Sequence, residues 1–294
     1  MFRLLFLATT LSLVPFRLIA AGDTLRASQA GFSFLPGRLF FAPLVADPQE
    51  PRVGVTKEIG SSKLKLDIGS SLDLVGYAAG SGSEIRFGVD FFTYALTTSA
   101  EGLRLQVDAV DGFFGGHVTW GENGGGSGFR SRLRILHVSG HLIDGHWDRA
   151  AKQWRDNKDP IPYTRDFGEL LGSFGWRGEA LAGDVYTGVA YATLVRPDDL
   201  ARWASLHGGL LRTTGLIGRV FGRECALYAA VHIAVTGIPT YYATCSVESG
   251  VKLGSWDGTG IRLAATFSSG LEPYSQYYFV RRDRWGLTLA FDFW

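Results

Sequence analysis

Gly286-Leu287-Thr288-Leu289-Ala290-Phe291-Asp292-Phe293-Trp294 decides the fold class. Leu287, Leu289, Phe291 and Phe293 alternate with Gly286, Thr288, Ala290 and Asp292, the period of two that puts one set on each face of a strand. A face of Leu, Leu, Phe and Phe needs either a protein core or lipid against it. The same alternation recurs upstream: Leu64, Leu66 and Ile68 against Lys63, Lys65 and Asp67; Ile85, Phe87, Val89 and Phe91; Leu103, Leu105, Val107 and Ala109 against Arg104, Gln106 and Asp108. Further strands are predicted near 52–59, 129–142, 163–176, 183–195, 206–220, 224–236, 240–254, 259–270 and 284–294, about twelve in all. Several exceed the roughly 9–11 residues a tilted membrane strand needs, whereas strands average roughly 5–6 residues in soluble proteins. The expected fold is therefore all-β, an antiparallel transmembrane β-barrel of about 12 strands, in which closure removes the exposed edges.

Composition agrees. Glycine supplies 39 of 294 residues, aromatics 13% and charged residues only 19%, which disfavours disorder, coiled coil and a helix-rich enzyme. Lys+Arg 29 against Asp+Glu 28 gives a net charge of +1, so no nucleic-acid partner is expected. Arg3, the apolar run Leu4 to Phe16, and Ala20-Ala21 before Gly22 and Asp23 read as a secretory signal over 1–21. Residues 22–51, with Pro36, Pro43, Pro48 and Pro51, are expected to form a pre-barrel segment, and 52–294 the barrel.

The uncharged stretch Cys225 to Val247 is long enough to span a bilayer as a helix, but Gly237, Ile238 and Pro239 break it, so it reads as a hairpin. A turn near Gly237 and Ile238 sets Cys225 opposite a residue near 250, about five positions from Cys245. A disulfide would need a shifted register, and the pairing stays open.

Phosphate loops, zinc-protease helices and hydrolase elbows are absent from the sequence, and no cofactor or metal is expected. Three of the six histidines, however, fall in Arg134-Ile135-Leu136-His137-Val138-Ser139-Gly140-His141-Leu142-Ile143-Asp144-Gly145-His146. Alternation sets Arg130, Arg132 and Arg134 together toward the lumen, leaving Phe129, Leu133, Ile135, His137, Ser139 and His141 toward lipid. Two imidazoles and a hydroxyl facing lipid either belong to an interfacial girdle or do work. A metal site from His137, His141 and His146 is disfavoured because His146 changes parity; His117, His207 and His232 read as isolated structural residues.

His137-Val138-Ser139 resembles the His-x-Ser pair that outer membrane phospholipase A and lipid A 3-O-deacylase carry on the outer barrel wall. The resemblance implies Ser139 as nucleophile and His137 as base. In those enzymes the third group lies about twelve residues beyond the serine, which here is Ala151. Asp166, on the next strand and level with His137, is the substitute by geometry, while Glu169 has the parity to meet the lumen arginines.

A wider resemblance covers most of the mature chain. Phe41 to Arg52, His137 to Asp144, Tyr163-Thr164-Arg165-Asp166, Tyr186 to Tyr191, Pro273 to Tyr278 and Phe291-Asp292-Phe293 are similar to an uncharacterised family of bacterial outer-membrane proteins with a His-x-Ser-Ser-His-Leu-Gly-Asp-Glu pattern. His137, Ser139, His141, Leu142 and Asp144 keep that pattern; Gly140, Ile143 and Gly145 depart from it. The resemblance implies a barrel located in the bacterial outer membrane, where lipid is the expected partner; separately, the terminal aromatic strand ending at Trp294 resembles the assembly signal of outer-membrane barrels, which implies recognition by the barrel-assembly machinery. The wider resemblance brings no activity. The expected role is structural or small-solute passage, and the alternative is an outer-wall esterase acting on phospholipid or lipid A.

Overall fold

The computed structural model describes residues 30–79, 82–100, 104–122 and 127–293. The signal segment and Trp294 lie outside the described residues. In chain order the strands are β1 (Gly31–Phe34), β2 (Val53–Glu58), β3 (Lys63–Ala78), β4 (Ser83–Ala100), β5 (Arg104–Glu122), β6 (Gly128–Leu142), β7 (Trp147–Asp148), β8 (Gln153–Trp154), β9 (Tyr163–Arg177), β10 (Leu181–Arg196), β11 (Trp203–Thr213), β12 (Arg219–Val220), β13 (Arg223–Ile238), β14 (Thr240–Gly254), β15 (Gly260–Leu271) and β16 (Arg281–Asp292). Twelve of them, all but β1, β7, β8 and β12, close into an antiparallel barrel through the β16–β2, β2–β3 and β3–β4 pairings. The predicted segments match these strands closely, except that 206–220 shortens to β11 because Gly215, Gly218 and Gly222 all take positive φ in the following loop.

Alternation sorts the two faces as expected. Ile68, Phe87, Phe91, Phe114, Ile135, Phe174, Val185, Leu263 and Leu287 are exposed on the outside, a belt that water would penalise and lipid tails accept. The opposite face is buried and heavily charged: Asp67, Asp90, Arg132, Arg134, Glu169, Glu248, Lys252, Arg262 and Asp292 are all at most 4% exposed.

Two insertions fill the lumen. β2 covers only six residues, and Gly54 pairs with Asp67, well short of the end of β3, whose last residues pair with β1 instead. Through the notch this leaves in the wall, the chain between β1 and β2 turns inward. Phe40 N bonds Asp73 Oδ2 at 2.9 Å, Phe41 and Leu44 pack on Leu171, Tyr186 and Leu206, and Glu50 meets Arg132 and Arg134. Arg52 crosses to Glu248 at 3.2 Å. The stretch read as pre-barrel therefore runs inside the barrel over its second half. From the other end the β15–β16 loop folds in: Tyr94 Oη donates to Pro273 O at 2.8 Å, Ser275 N to Asp111 Oδ2 at 2.8 Å, and Gln276 Nε2 to the carbonyls of Gly140 and Ile161 at 2.8 and 2.7 Å. Gln49 Nε2 reaches Pro273 O at 3.5 Å, where the two insertions meet.

Cys225 and Cys245 are both free. The β13–β14 turn falls at Pro239 and pairs Cys225 with Leu253 and Cys245 with Ile233, so the hairpin holds the two sulfurs apart along the strands.

Candidate functional site on the outer wall

β5, β6 and β9 are antiparallel neighbours, and their register sets Phe114, His137 and Asp166 in one row across the outer wall. His137 Nδ1 lies 2.6 Å from Asp166 Oδ1, and its ring packs on Phe114 with centroids 4.7 Å apart. Both members of the pair are partly exposed, at 32% for the His137 side chain and 46% for Asp166. With Nδ1 held by the carboxylate, Nε2 is the nitrogen left for proton transfer.

Ser139 follows two residues on along the same face. Neighbouring same-face residues on a strand lie about 7 Å apart at the backbone, so a rotation of the two side chains spans the gap. Among the described residues Ser139 Oγ makes no hydrogen bond, and Thr164 Oγ1, directly opposite it on β9, has no partner either. Gly112 is opposite Ser139 on β5, and a Cβ built there meets nothing within 4 Å, so that flank of the serine is open. His141 continues the row of outward residues and is exposed. Asp144 lies beyond the strand in the 3-10 turn Asp144–His146.

The site is at the margin of the apolar belt. One row nearer the chain-termini end come Ile135, Gly168, Tyr191 and Trp203, the last two in tilted ring contact at 4.7 Å in the manner of an interfacial aromatic girdle. Beyond the site, β6 ends after Leu142 in the 20-residue stretch 143–162, the longest connection between barrel strands.

Arg130, Arg132 and Arg134 point inward, as their parity predicts. Glu169 accepts from Arg134 Nε at 3.0 Å and from Arg132 Nη2 at 3.1 Å, and Glu50 completes the cluster. Four charges at this burial are tolerable only because each answers another. Glu50, Asp47 and Arg52 escape the sequence reading, since nothing in a proline-rich segment says that it threads a lumen. The histidines read as isolated are each engaged: His117 bridges Asp73 and Asp90 at 2.8 and 3.0 Å, His232 accepts or donates to Tyr186 Oη at 2.9 Å, and His207 lies between Thr187 and Ser205 at 2.9 and 3.2 Å. His146 is buried and bonded to Arg155 O, on a different side of the wall from His137 and His141.

No protein-family model matches the chain, and no curated protein does. Solved structures similar to it include the β domain of the Bordetella autotransporter Brka, at 14% identity, a TM-score of 0.46 and coverage of 82% of this chain and 96% of that one. They also include OmpT of Vibrio cholerae, at 10% identity, a TM-score of 0.34 and coverage of 86% and 100%. The chain is a closed twelve-strand antiparallel barrel.

Proposed function

We propose that the protein resides in the bacterial outer membrane and that its outer wall hydrolyses acyl esters of membrane lipid, phospholipid or lipid A. The observation that carries this reading is the 2.6 Å contact between His137 and Asp166, on the outer wall and beside Ser139, which has no hydrogen-bond partner among the described residues. Ser139 Oγ attacks the ester carbonyl while His137 Nε2 takes its proton; the imidazolium is stabilised by Asp166 and returns the proton to the leaving alkoxide. Water then hydrolyses the acyl-serine by the same base. His141, exposed two residues further on, is suited to meet the lipid head group, and Asp144 lies near it at the strand end. Passage of solute through the lumen is the weaker reading, because both insertions would have to leave.

The test is fatty-acid release from phospholipid and lipid A vesicles by the refolded barrel and by Ser139→Ala at equal folded concentration. Release by wild type that disappears in the variant is expected. No release from either substrate, with or without calcium, would return the protein to a structural role.

A further inference from the structure

Charges in the lumen are matched with few exceptions, and two of the exceptions share a cavity. Arg134 is 2% exposed; its Nε and Nη2 are taken by Glu169 and Glu50, and its Nη1 has no partner among the described residues. Arg165, four residues from Glu169 on the same face of β9, has a buried Nε with no partner among the described residues, and no carboxylate pairs with its guanidinium. Its guanidinium lies 5.4 Å over the ring of Phe167, the inward residue between it and Glu169, and also interacts with the Tyr163 side chain on its other flank. Both arginines line a cavity of about 110 Å³ bounded by the two lumen insertions.

The carboxylates around that cavity are already engaged. Asp47 accepts from Gln49 N and faces His232 at 3.6 Å; Glu169 is held by Arg132 and Arg134; Glu272 is held by Arg282 and Arg284. The rest of the lining is mixed: an apolar patch of Phe113, Leu136, Ala204 and Leu206 is accompanied by polar groups that include Thr244 and Arg284. A buried guanidinium nitrogen without an acceptor is costly to leave unpaired, and two lining one cavity offer donors to an anion.

We propose that this cavity is a binding site for a small organic carboxylate, its charged end between Arg134 Nη1 and Arg165 Nε and its apolar body against Phe113, Leu136 and Leu206. The site is independent of the outer-wall histidine and serine. The apolar wall is what selects a carboxylate with a hydrocarbon body over an inorganic anion.

Isothermal titration of the full refolded barrel in detergent, with benzoate, acetate and inorganic phosphate as separate probes, tests the assignment. Wild type is expected to bind benzoate saturably, acetate more weakly and phosphate weakest. Arg165→Met removes a donor that belongs to no ion pair, so folding is retained, and benzoate affinity should fall about tenfold or more. Ala204→Leu fills the apolar side and should weaken benzoate more than acetate, which keeps the test open if Arg165→Met does not fold. Absence of saturable binding in wild type would mean that water alone satisfies the arginines and overturns the proposal. So would equal affinity of wild type and both variants, or phosphate binding in preference to benzoate.

Discussion

Asp166 reaches His137 because a register of one particular parity brings them together: His137 pairs with Asp166 and Arg134 with Glu169, so one acid goes to the outer wall and the other to the lumen. Replacing Asp166 by Asn keeps a hydrogen-bond partner but not the charge that stabilises the imidazolium. On the proposed mechanism release should drop about a hundredfold or more with little change in thermal stability, since the pair is partly exposed. Gly112→Leu makes the complementary test: its side chain would cover the open flank of Ser139, so turnover should fall while the His137–Asp166 contact persists, checked by the histidine's NMR titration in both forms. This pairing was legible in the sequence because parity and strand order suffice to derive it. Thr164 opposite Ser139 follows from the same register, whereas the openness at Gly112 does not, since it depends on what packs beside β5.

At the scale of elements, the barrel strands were legible because alternation survives on both faces, apolar outside and charged inside. The inward course of the residues before β2 was illegible for the same reason: Phe41 to Arg52 has no period, and its partners Arg132, Glu248 and Leu171 lie far away in sequence. Glu50→Gln leaves Arg132 and Arg134 sharing one carboxylate, a loss of about 3–5 kcal/mol by analogy with other broken buried pairs, to be read from the denaturant midpoint of the folded barrel in detergent. The β15–β16 loop depends on a different device. A Cβ at Gly140 would stand 2.3 Å from Ser275 Cβ and 2.7 Å from Asp111 Oδ1, so only glycine lets the loop lie against β6. Gly140→Val should expel the loop, destabilise by about 1–3 kcal/mol, and expose Tyr274 and Gln276 to protease at a site closed in wild type.

For the whole molecule, strand number alone would allow a narrow channel, yet the interior is filled by protein from both ends. Glu50 links to Arg132 and Arg134, and Arg52 to Glu248, which connects through Arg262 to Asp292 and Lys252, so two groups of buried ion pairs, meeting only along the backbone at Pro51, tie the insertion to β6 and to β14–β16. A plug held this way does not come and go with thermal motion, because leaving would strand several charges at once. Wild-type barrel in a planar bilayer should therefore show little or no conductance. Combining Phe41→Ser, Leu44→Ser and Glu50→Gln removes the apolar seat on Tyr186 and Leu206 together with the central ion pair, and should yield conducting events whose frequency rises in mild urea, while heat modifiability on gels shows that the barrel itself is retained. An open channel in the wild type would contradict the plugged architecture. Silence in both proteins would instead mean that the β15–β16 loop closes the lumen without help, and adding Gly140→Val to the triple variant should then open it.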